Sequence, residues 1–479
     1  VLELPQAEEA FARAHELMVT PDERAVLVKE RTHNLMAAER VREALALNSA
    51  ALAEGTDPQV EQVLRINDIY IRYLEGSEPM PLEALQGLDE VPDPRVRLSV
   101  SVLMSMALTV AGYSEQATKV SRKSYEEHRQ FGGDIILYPP TWQLIFESLA
   151  WASYGDLRQA QALAERAVAE AAEGNVPFVR VHATYALGWA HWLAGHMADA
   201  RHGFAESLAV SRGHKFLGKE AMASGMAAAC ATLGDGDAAR EALKFADVSP
   251  TVQWWWARGQ YGRAWQMALE GRLVEARSLL ISTAEVARQT GQISTEGELL
   301  TDIARLGGAP EVAGRLTELA AVSEGVLAPA RARFATALAE EDPDLLIRSA
   351  DELENLGADL LAAEAAATAA QILRSSGQVR RATAATVQAD ACAARCQGAR
   401  TPLLSTAATT VALTAREREV ALLAASGTAS KDIATALTLS VRTVDNHLQR
   451  IYGKLGVTTR RELAEALDTT PPTRQSPDR

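Results

Sequence analysis

The chain has 479 residues, of which 47% are hydrophobic and 5% aromatic, and its formal net charge at pH 7 is −14. It is long enough for more than one domain, and its composition is ordinary for a soluble intracellular protein. Three cysteines are too few for a disulfide framework, and neither an apolar run of about 18 residues nor a secretion signal occurs, so the sequence predicts a cytoplasmic location.

Residues 1–396 carry almost no strand character but repeat one local pattern. A glycine, often followed by an apolar residue at the second place, precedes an alanine at the fifth place. The pattern occurs at Gly112/Ala117, Gly155/Ala160, Gly195/Ala200, Gly234/Ala239, Gly271/Ala276, Gly308/Ala313 and Gly377/Ala382. The first five intervals are 43, 40, 39, 37 and 37 residues, and the last, 69 residues, is close to two repeats. Such periods predict stacked helical hairpins that form a curved solenoid with a concave surface.

Each residue type in this pattern has a structural reason. Glycine suits the turn that ends one helix because it adopts positive φ freely, and the small alanine lets the next helix pack closely. The segments GDLRQAQALAERAV from Gly155 and GRLVEARSLLISTA from Gly271 resemble the second helix of tetratricopeptide-type repeats. Four prolines between residues 79 and 94 predict a break in the array near 76–94.

One aromatic cluster is a candidate ligand site. Trp254, Trp255 and Trp256 are consecutive, so on a helix they point in three directions, and at least one should face the concave surface or a neighbouring groove. More distant tryptophans could contribute, namely Trp189, Trp192 and Trp265. Stacked rings suit a sugar, an aromatic metabolite or the apolar helix of a partner. The alternative is that these side chains only fill wide spaces between irregular helix pairs.

The C-terminal part divides into a linker, a small domain and a tail. Residues 397–411 show no helical stripe and contain Pro402 within a Ser/Thr-rich stretch, which predicts a linker. Residues 412–468 are expected to form the second domain after the repeat domain at 1–396. Residues 469–479 have the composition of a disordered end.

The residues that start and end helices predict three helices early in the second domain. Thr414 with Glu417 is a capping box at the start of a first helix, and Gly427 suits its left-handed end. Ser430 is expected to cap a second, short helix, and Ser440 a third helix after a brief turn.

The third helix has two different faces. Four apolar residues at intervals of four, three and four form a narrow seam, namely Val444, Leu448, Ile451 and Leu455. The opposite face holds Arg442, Asn446, Gln449, Arg450 and Gly453, flanked by Thr443, Asp445, His447 and Lys454. Such side chains are the donors and acceptors with which a helix reads base edges in the major groove.

At these residues the segment resembles the LuxR-type (GerE-type) helix-turn-helix family. The matching positions are Leu413, Thr414, Arg416, Glu417, Glu419, Val420, Gly427, Ser430, Ile433, Ala434, Leu437, Ser440, Thr443, Val444, His447, Ile451, Lys454, Leu455, Val457 and Arg460. The resemblance implies a small four-helix DNA-binding domain. The whole chain is therefore predicted to be all-α, an irregular tetratricopeptide-like solenoid followed by this domain.

Two positions depart from the family, which usually has lysine where this chain has Asp445 and often lysine at Gln449. Asp445 either accepts a hydrogen bond from a cytosine amino group, or DNA is held instead through Lys431, Arg442, Arg450 and Lys454. We favour the second alternative because carboxylate readout of cytosine is less common. His447 is expected to serve local packing or a phosphate contact. The predicted DNA-binding residues are Lys431, Ser440, Arg442, Thr443, Asn446, His447, Gln449, Arg450 and Lys454.

The charge distribution limits how DNA can be bound. Residues 401–479 carry ten Lys or Arg and eight Asp or Glu, which leaves 38 and 54 for residues 1–400. The long region is therefore unsuited to nucleic acid, and the small domain should bind with modest affinity unless two copies occupy paired half-sites. A homodimer could form through Leu463, Ala464 and Leu467. The alternative is that this stripe packs on the first helix.

The motifs of common catalytic sites are missing from the sequence. There is no phosphate-binding loop, zinc-protease motif or nucleophile elbow, and histidines do not cluster with carboxylates at ligand spacing. Cys392 and Cys396 are one helical turn apart but lack further ligands nearby. We therefore expect no enzyme activity, cofactor or metal in this chain.

An acidic helical solenoid joined to a LuxR-type domain resembles the C-terminal half of the large ATP-binding LuxR-type regulators, the MalT-like group. The resemblance implies a nucleotide-binding domain before Val1, a solenoid that receives a small-molecule inducer or a regulatory protein, and a terminal domain that binds promoter DNA. We predict a bacterial sequence-specific transcriptional regulator whose partner is double-stranded DNA. The alternative is a protein-interaction scaffold with a weak or vestigial DNA-binding module.

Overall fold

The computed structural model describes residues 4–463 apart from 38–39, 56–57, 76–81, 83–84, 86–93, 132–138, 175–176, 212–217, 247–252, 410–414, 426, 438, 456, 458 and 461. Every regular element within these residues is a helix, and none of the described helices is both long and apolar enough to cross a membrane. The predicted end at 469–479 and most of the predicted break near 76–94 lie outside the described residues.

Most helices of the repeat region pack against the helix next to them in the chain. The first twelve are α1 (Leu4–Leu17), α2 (Pro21–Ala37), α3 (Val41–Glu54), α4 (Pro58–Glu75), α5 (Pro94–Val110), α6 (Ser114–Gln130), α7 (Thr141–Tyr154), α8 (Leu157–Glu173), α9 (Pro177–Ala194), α10 (Met197–Val210), α11 (Lys219–Thr232) and α12 (Gly236–Leu243). The next nine are α13 (Gln253–Gly259), α14 (Tyr261–Leu269), α15 (Leu273–Gln289), α16 (Ile293–Ile303), α17 (Ala309–Val322), α18 (Leu327–Ala339), α19 (Pro343–Asn355), α20 (Asp359–Ser375) and α21 (Val379–Arg395). A π-helical turn, Ala304–Gly308, joins α16 to α17.

The hairpin of α7 and α8 shows why the repeated pattern folds as it does. Gly155 ends α7 at φ +114, a conformation that strains any residue with a Cβ. Asp156 then caps α8, because its side chain accepts a hydrogen bond from Gln159 N at 3.0 Å. Leu157 and Ala160 are at most 1% exposed, so the alanine lies directly against the preceding helix.

The predicted repeat pattern agrees with the turns at six of its seven glycines. Positive φ occurs at Gly112, Gly155, Gly195, Gly234, Gly271 and Gly377. The assignment of Gly308 is wrong by one residue, because Gly307 has φ +91 while Gly308 precedes α17 at φ −104. The 69-residue interval contains two hairpins, and the turn between α18 and α19 uses Glu341, a non-glycine residue at φ +51.

The array winds back on itself. The turn between α5 and α6 is bonded to the segment before α18, since Glu324 N donates to Gly112 O at 2.8 Å. The next turn lies against α18, since Val326 N donates to Tyr154 O at 2.7 Å. A Cβ added to Gly195 would lie 2.7 Å from Leu360, in α20. Each of these three turns thus meets a hairpin five places further along, so the solenoid winds into a coil with a buried interior.

The C-terminal domain contains α23 (Ala415–Ala425), α24 (Ser430–Ala436) and α25 (Val441–Leu455). Its core consists of Val420, Ala421, Ala424, Ile433, Ala434, Val444, Leu448, Ile451 and Leu463, each at most 5% exposed. The expected all-α fold, a helical solenoid followed by a small helix-turn-helix domain, is confirmed.

The predicted linker at 397–411 contains a helix, α22 (Pro402–Thr409). Proline is well suited to the first helical position, and Leu403 and Leu404 pack on the hydrophobic cores of the repeat region. The preceding Arg400 N donates to Thr232 O at 2.6 Å. The helix escaped sequence analysis because it is short and has only two large apolar residues.

Candidate nucleic-acid interface and repeat-domain interior

Both ends of α24, the helix that precedes α25, are held by arginines from other parts of the domain. Arg416, on α23, donates to Leu437 O and forms an ion pair with Glu419 at 2.7 Å. Arg460 donates to Thr428 O and to Ser430 Oγ, the latter at 2.8 Å. These arginines therefore brace the two helices from behind, a role that their sequence positions alone did not disclose.

The predicted helix starts are correct for α25 and wrong for α24. Ser440 Oγ accepts a hydrogen bond from Thr443 N at 3.1 Å, so Ser440 caps α25. The residue before α24 is Ala429, which offers no side-chain cap, and Ser430 is already helical. The expected capping role of Thr414 lies outside the described residues.

The apolar seam of α25 faces the domain core. Val444 and Ile451 are fully buried and Leu448 is 5% exposed, while the side chain of Leu455 lies outside the described residues. This burial fixes the rotation of α25 about its axis, and the polar side chains must then point away from the core.

The opposite face of α25 is a polar ridge. Its exposed residues are Arg442, Asp445, Asn446, Gln449 and Arg450, and Lys431 at the start of α24 is exposed as well. Within the described residues, no hydrogen bond or ion pair occupies the side chains of Arg442, Asn446, Gln449 or Arg450. Their donors and acceptors are therefore available to a ligand. The exposure of Gly453 and the side chain of Lys454 lie outside what the structure describes.

The two flanking residues are less available than the ridge. Thr443 is half-buried, and its hydroxyl lies 2.7 Å from Ser440 Oγ. His447 is half-buried, and its Nδ1 is buried without a hydrogen-bond partner among the described residues. Packing is thus the main observed role of the His447 ring.

Leu463 belongs to the core of the domain and has no exposed surface. Of the two alternatives for the stripe at Leu463, Ala464 and Leu467, the packing of Leu463 favours the one within the domain. The side chains of Ala464 and Leu467 lie outside the described residues. Leu422 on α23 is 55% exposed and offers a different apolar surface.

A second candidate site lies inside the repeat coil, where aromatic rings and charges are packed together. The centroids of the Trp192 and Trp265 rings are 5.9 Å apart, and those of Trp189 and Tyr261 are 5.7 Å apart. Arg258 lies over the Trp189 ring at 4.5 Å. Such stacking of a guanidinium on an indole stabilises a buried cation.

Three acidic side chains compensate most of the interior cations. Trp265 Nε1 donates to Asp302 at 2.9 Å, and Arg305 bonds both Asp302 and Glu364 at 2.8 Å. Arg258 Nη2 lies 3.5 Å from Glu298. These contacts link α13, α14, α16 and α20 across the axis of the coil.

Arg331, unlike Arg258 and Arg305, forms no ion pair among the described residues. It is 8% exposed, and its Nε has no hydrogen-bond partner among the described residues. Burial lowers the pKa of its guanidinium despite the nearby charges of Glu298 and Asp302. Arg331 lines a small cavity of about 30 Å³ together with Trp189, Trp192 and Tyr261, which is room for about one water molecule.

The tryptophans proposed from sequence are placed differently from one another. Trp256 is half-buried, and the side chains of Trp254 and Trp255 lie outside the described residues. Trp189, Trp192 and Trp265 are at most 7% exposed and fill the interior. Trp189 and Trp192 line the cavity, and Trp265 packs against Trp192.

Comparison with known proteins supports the helix-turn-helix assignment of the smaller domain. Residues 411–467 match the family described as bacterial regulatory proteins, luxR family. Among solved structures, the chain is similar to a Rap protein complexed with competence and sporulation factor, with 13% identity over 79% of this chain and 100% of that chain, at a TM-score of 0.42. It is also similar to aspartyl phosphate phosphatase F from Bacillus subtilis, with 11% identity over 80% and 97% of the two chains, at a TM-score of 0.31. A search of curated proteins found no match.

Proposed function

We propose that this protein, whose residues 411–467 form a luxR-family helix-turn-helix domain, regulates transcription by sequence-specific binding to double-stranded DNA in a bacterial cytoplasm. One observation carries the proposal. The ridge of α25 exposes Arg442, Asn446 and Arg450 without partners among the described residues, while the opposite face is anchored in the core. Guanidinium and amide groups in this arrangement suit guanine and adenine edges in the major groove.

Different residues of the domain have different roles in this proposal. Asn446, Gln449 and Arg450 read bases, whereas Lys431, Ser440 and Lys454 contact phosphates near the two helix starts and the end of α25. Asp445 is exposed on the same ridge, so it either accepts from a cytosine amino group or lies beside the contact. Phosphate contacts position the helix, and base contacts select the sequence.

The domain binds paired half-sites as a homodimer in this proposal, because its small net positive charge supports few phosphate contacts per copy. Leu463 is buried and cannot form the interface. The exposed Leu422 on α23 is the apolar side chain that a partner copy would cover.

The decisive experiment is selection of binding sites from random duplex DNA by the full chain. We expect a shared motif to be enriched by the parent, and no motif by an Asn446→Ala/Arg450→Ala variant. The matched control is Arg380→Ala, an exposed arginine on the repeat domain, which should enrich the parent's motif. If the parent enriches nothing even near 50 mM salt, where phosphate contacts are strongest, the chain is an interaction scaffold instead.

The repeat domain in this proposal receives an effector at the interior cavity, and the chemistry of its lining favours an aromatic carboxylate. Indole faces can stack on an aromatic ring, and Arg331 lacks a hydrogen-bond partner for Nε among the described residues. A carboxylate can supply that partner through a charge-assisted bond. The cavity, at about 30 Å³, is too small for an aromatic carboxylate, so binding must open the coil. This opening is the conformational change by which the ligand affects the DNA-binding domain.

Benzoate and indole-3-acetate are suitable probes for this part of the proposal. We expect one of them to quench tryptophan fluorescence and raise the melting temperature of the parent. Arg331→Met should lose both responses, and Arg348→Met, an exposed arginine, should keep them. Equal responses in the two variants would place the effector elsewhere.

A further inference from the structure

The turn between α9 and α10 brings together three side chains of the types that bind metal ions. His191 lies in the last turn of α9, His196 directly precedes α10, and Asp199 lies in its first turn. One potential ligand atom from each lies within 4.8 Å of the other two, the sole such group of three found among the described residues. The sequence does not indicate this group, because His191 and His196 are five residues apart and a helix end lies between them.

The backbone holds these residues in place. His196 N donates to His191 O at 2.9 Å, and this hydrogen bond fixes the backbone of the turn that carries both imidazoles. Gly195, between them, lies so close to Leu360 that a Cβ would be 2.7 Å from it. The centroids of the two rings are 5.9 Å apart. The group is therefore fixed where α20 packs against the turn.

The surroundings favour a cation. Asp359 Oδ2 lies 3.5 Å from His196 Nε2, and Arg395 on the far side of this carboxylate holds it at 2.7 Å. Metal-binding histidines commonly donate their second ring nitrogen to such a carboxylate. His191 Nδ1 is buried and has no partner among the described residues.

We propose that His191, His196 and Asp199 bind a divalent transition-metal ion, with Zn²⁺ the best match, and that Asp359 orients His196 from outside the coordination sphere. Imidazole nitrogen and carboxylate oxygen are typical zinc ligands, and three protein ligands leave a fourth position for water. Zinc bonds of about 2.0–2.1 Å require ligand atoms roughly 3.4 Å apart. The present separations are at most 4.8 Å, so they must shorten by up to about 1.4 Å when the ion binds.

The site is connected to the segment that leads to the DNA-binding domain. Gln397 Oε1 accepts hydrogen bonds from Ala198 N and Asp199 N at 2.9 and 3.0 Å, and Gln397 Nε2 donates to Asp199 Oδ2 at 2.5 Å. An ion bound to Asp199 fixes this carboxylate and strengthens the attachment of Gln397. The metal thus fastens the chain just before α22 to the turn between α9 and α10.

The test is a Zn²⁺ titration of the tag-free full chain after treatment with a chelator. Calorimetry should show one ion bound per chain, and Co²⁺ should give the visible spectrum of a four-coordinate ion. His196→Gln and Asp199→Asn should each weaken binding at least about tenfold, and Asp359→Asn about 10- to 100-fold, as expected for an outer partner. His202→Gln is the matched control, because His202 is exposed on α10 and outside the group.

Thermal unfolding separates lost binding from lost folding. Zn²⁺ should raise the melting temperature of the parent and of His202→Gln but not of His196→Gln. Should His196→Gln fail to fold without metal, the exposed Asp199 provides the deciding variant. The proposal is overturned if the parent binds no ion, or if His196→Gln and Asp199→Asn bind Zn²⁺ as tightly as the parent does.

Discussion

Arg305 and Glu364 form a bidentate ion pair inside the coil, with Nε–Oε2 and Nη2–Oε1 distances of 2.8 and 2.9 Å. Both side chains are at most 5% exposed, and they join the π-helical turn after α16 to α20. Removal of one partner leaves a buried cation with less compensation. We expect Glu364→Gln to lower the free energy of unfolding by about 3–5 kcal/mol, measured by urea denaturation.

The surface pair of Arg333 and Glu352 is the matched comparison. These side chains are 55% and 32% exposed, so Glu352→Gln should cost less than about 1 kcal/mol. Similar losses for Glu364→Gln and Glu352→Gln would show that the interior pair is solvated and that the coil is looser than described.

Gly195 tests the contact between distant hairpins. It combines φ +89 with a close approach to Leu360, whereas Gly377 has φ +76 and nothing within 4 Å of a Cβ. Gly377→Ala should therefore cost only backbone strain, about 1–2 kcal/mol. Gly195→Ala should cost clearly more, because α20 must also move away. Equal urea midpoints for the two variants would contradict the packing of this turn on α20.

We expect Arg331 to lower the free energy of unfolding, because its role in the proposed function is to bind the effector. A buried cation without a hydrogen-bonded partner is unfavourable, and replacement of such groups by apolar ones is often stabilising. We therefore expect Arg331→Met to raise the free energy of unfolding by about 1 kcal/mol or more, in contrast to the loss for Glu364→Gln. A large loss of stability in Arg331→Met would assign Arg331 a structural role instead.

A fall in pH should destabilise the folded protein, because His33 on α2 is held as a neutral imidazole. Burial and the charge of Lys29 lower the pKa of His33 to about 4, against about 6.5 in the unfolded chain. Between these values the unfolded state binds the proton that the folded state excludes, so stability is lost as the pH falls below about 6.5. At pH 5 this amounts to roughly 2 kcal/mol relative to pH 7.

Two variants isolate that contribution. His33→Gln should reduce the difference in unfolding free energy between pH 7 and pH 5, while His15→Gln, at an exposed position, should leave it as in the parent. An unchanged pH dependence in His33→Gln would mean that this imidazole is protonated in the folded state.

The sequence predicted those features that depend on neighbouring residues. The rotation of α25 follows from the spacing of Val444, Leu448 and Ile451, and the cap at Ser440 follows from its own side chain. The prediction that Ser430 caps α24 was wrong because its hydroxyl accepts a hydrogen bond from Arg460, 30 residues later. A cap can be inferred locally only when no distant donor competes for it.

Features that depend on the winding of the coil could not be predicted. Glycine spacing predicts hairpins, but not that the turns at Gly112, Gly155 and Gly195 each meet a hairpin five places later. The partners Arg305 and Glu364 are 59 residues apart, and no local pattern relates them. The turn at Glu341 could not be predicted either, because a non-glycine residue has positive φ there, whereas the repeated pattern has glycine.

Substitutions of Asn446 and Lys431 should affect DNA binding in different ways, although both side chains are exposed. Asn446 lies on the ridge that faces the bases, so Asn446→Ala should reduce discrimination between the selected motif and a mismatched site by about 1–3 kcal/mol. Lys431, at the start of α24, should contact a phosphate, so Lys431→Ala should weaken binding to all duplexes alike and lower the salt slope by about one. Fluorescence anisotropy with matched and mismatched duplexes at several salt concentrations measures both effects. Arg380→Ala serves as the control, and binding curves that coincide for all three variants would show that another surface contacts DNA.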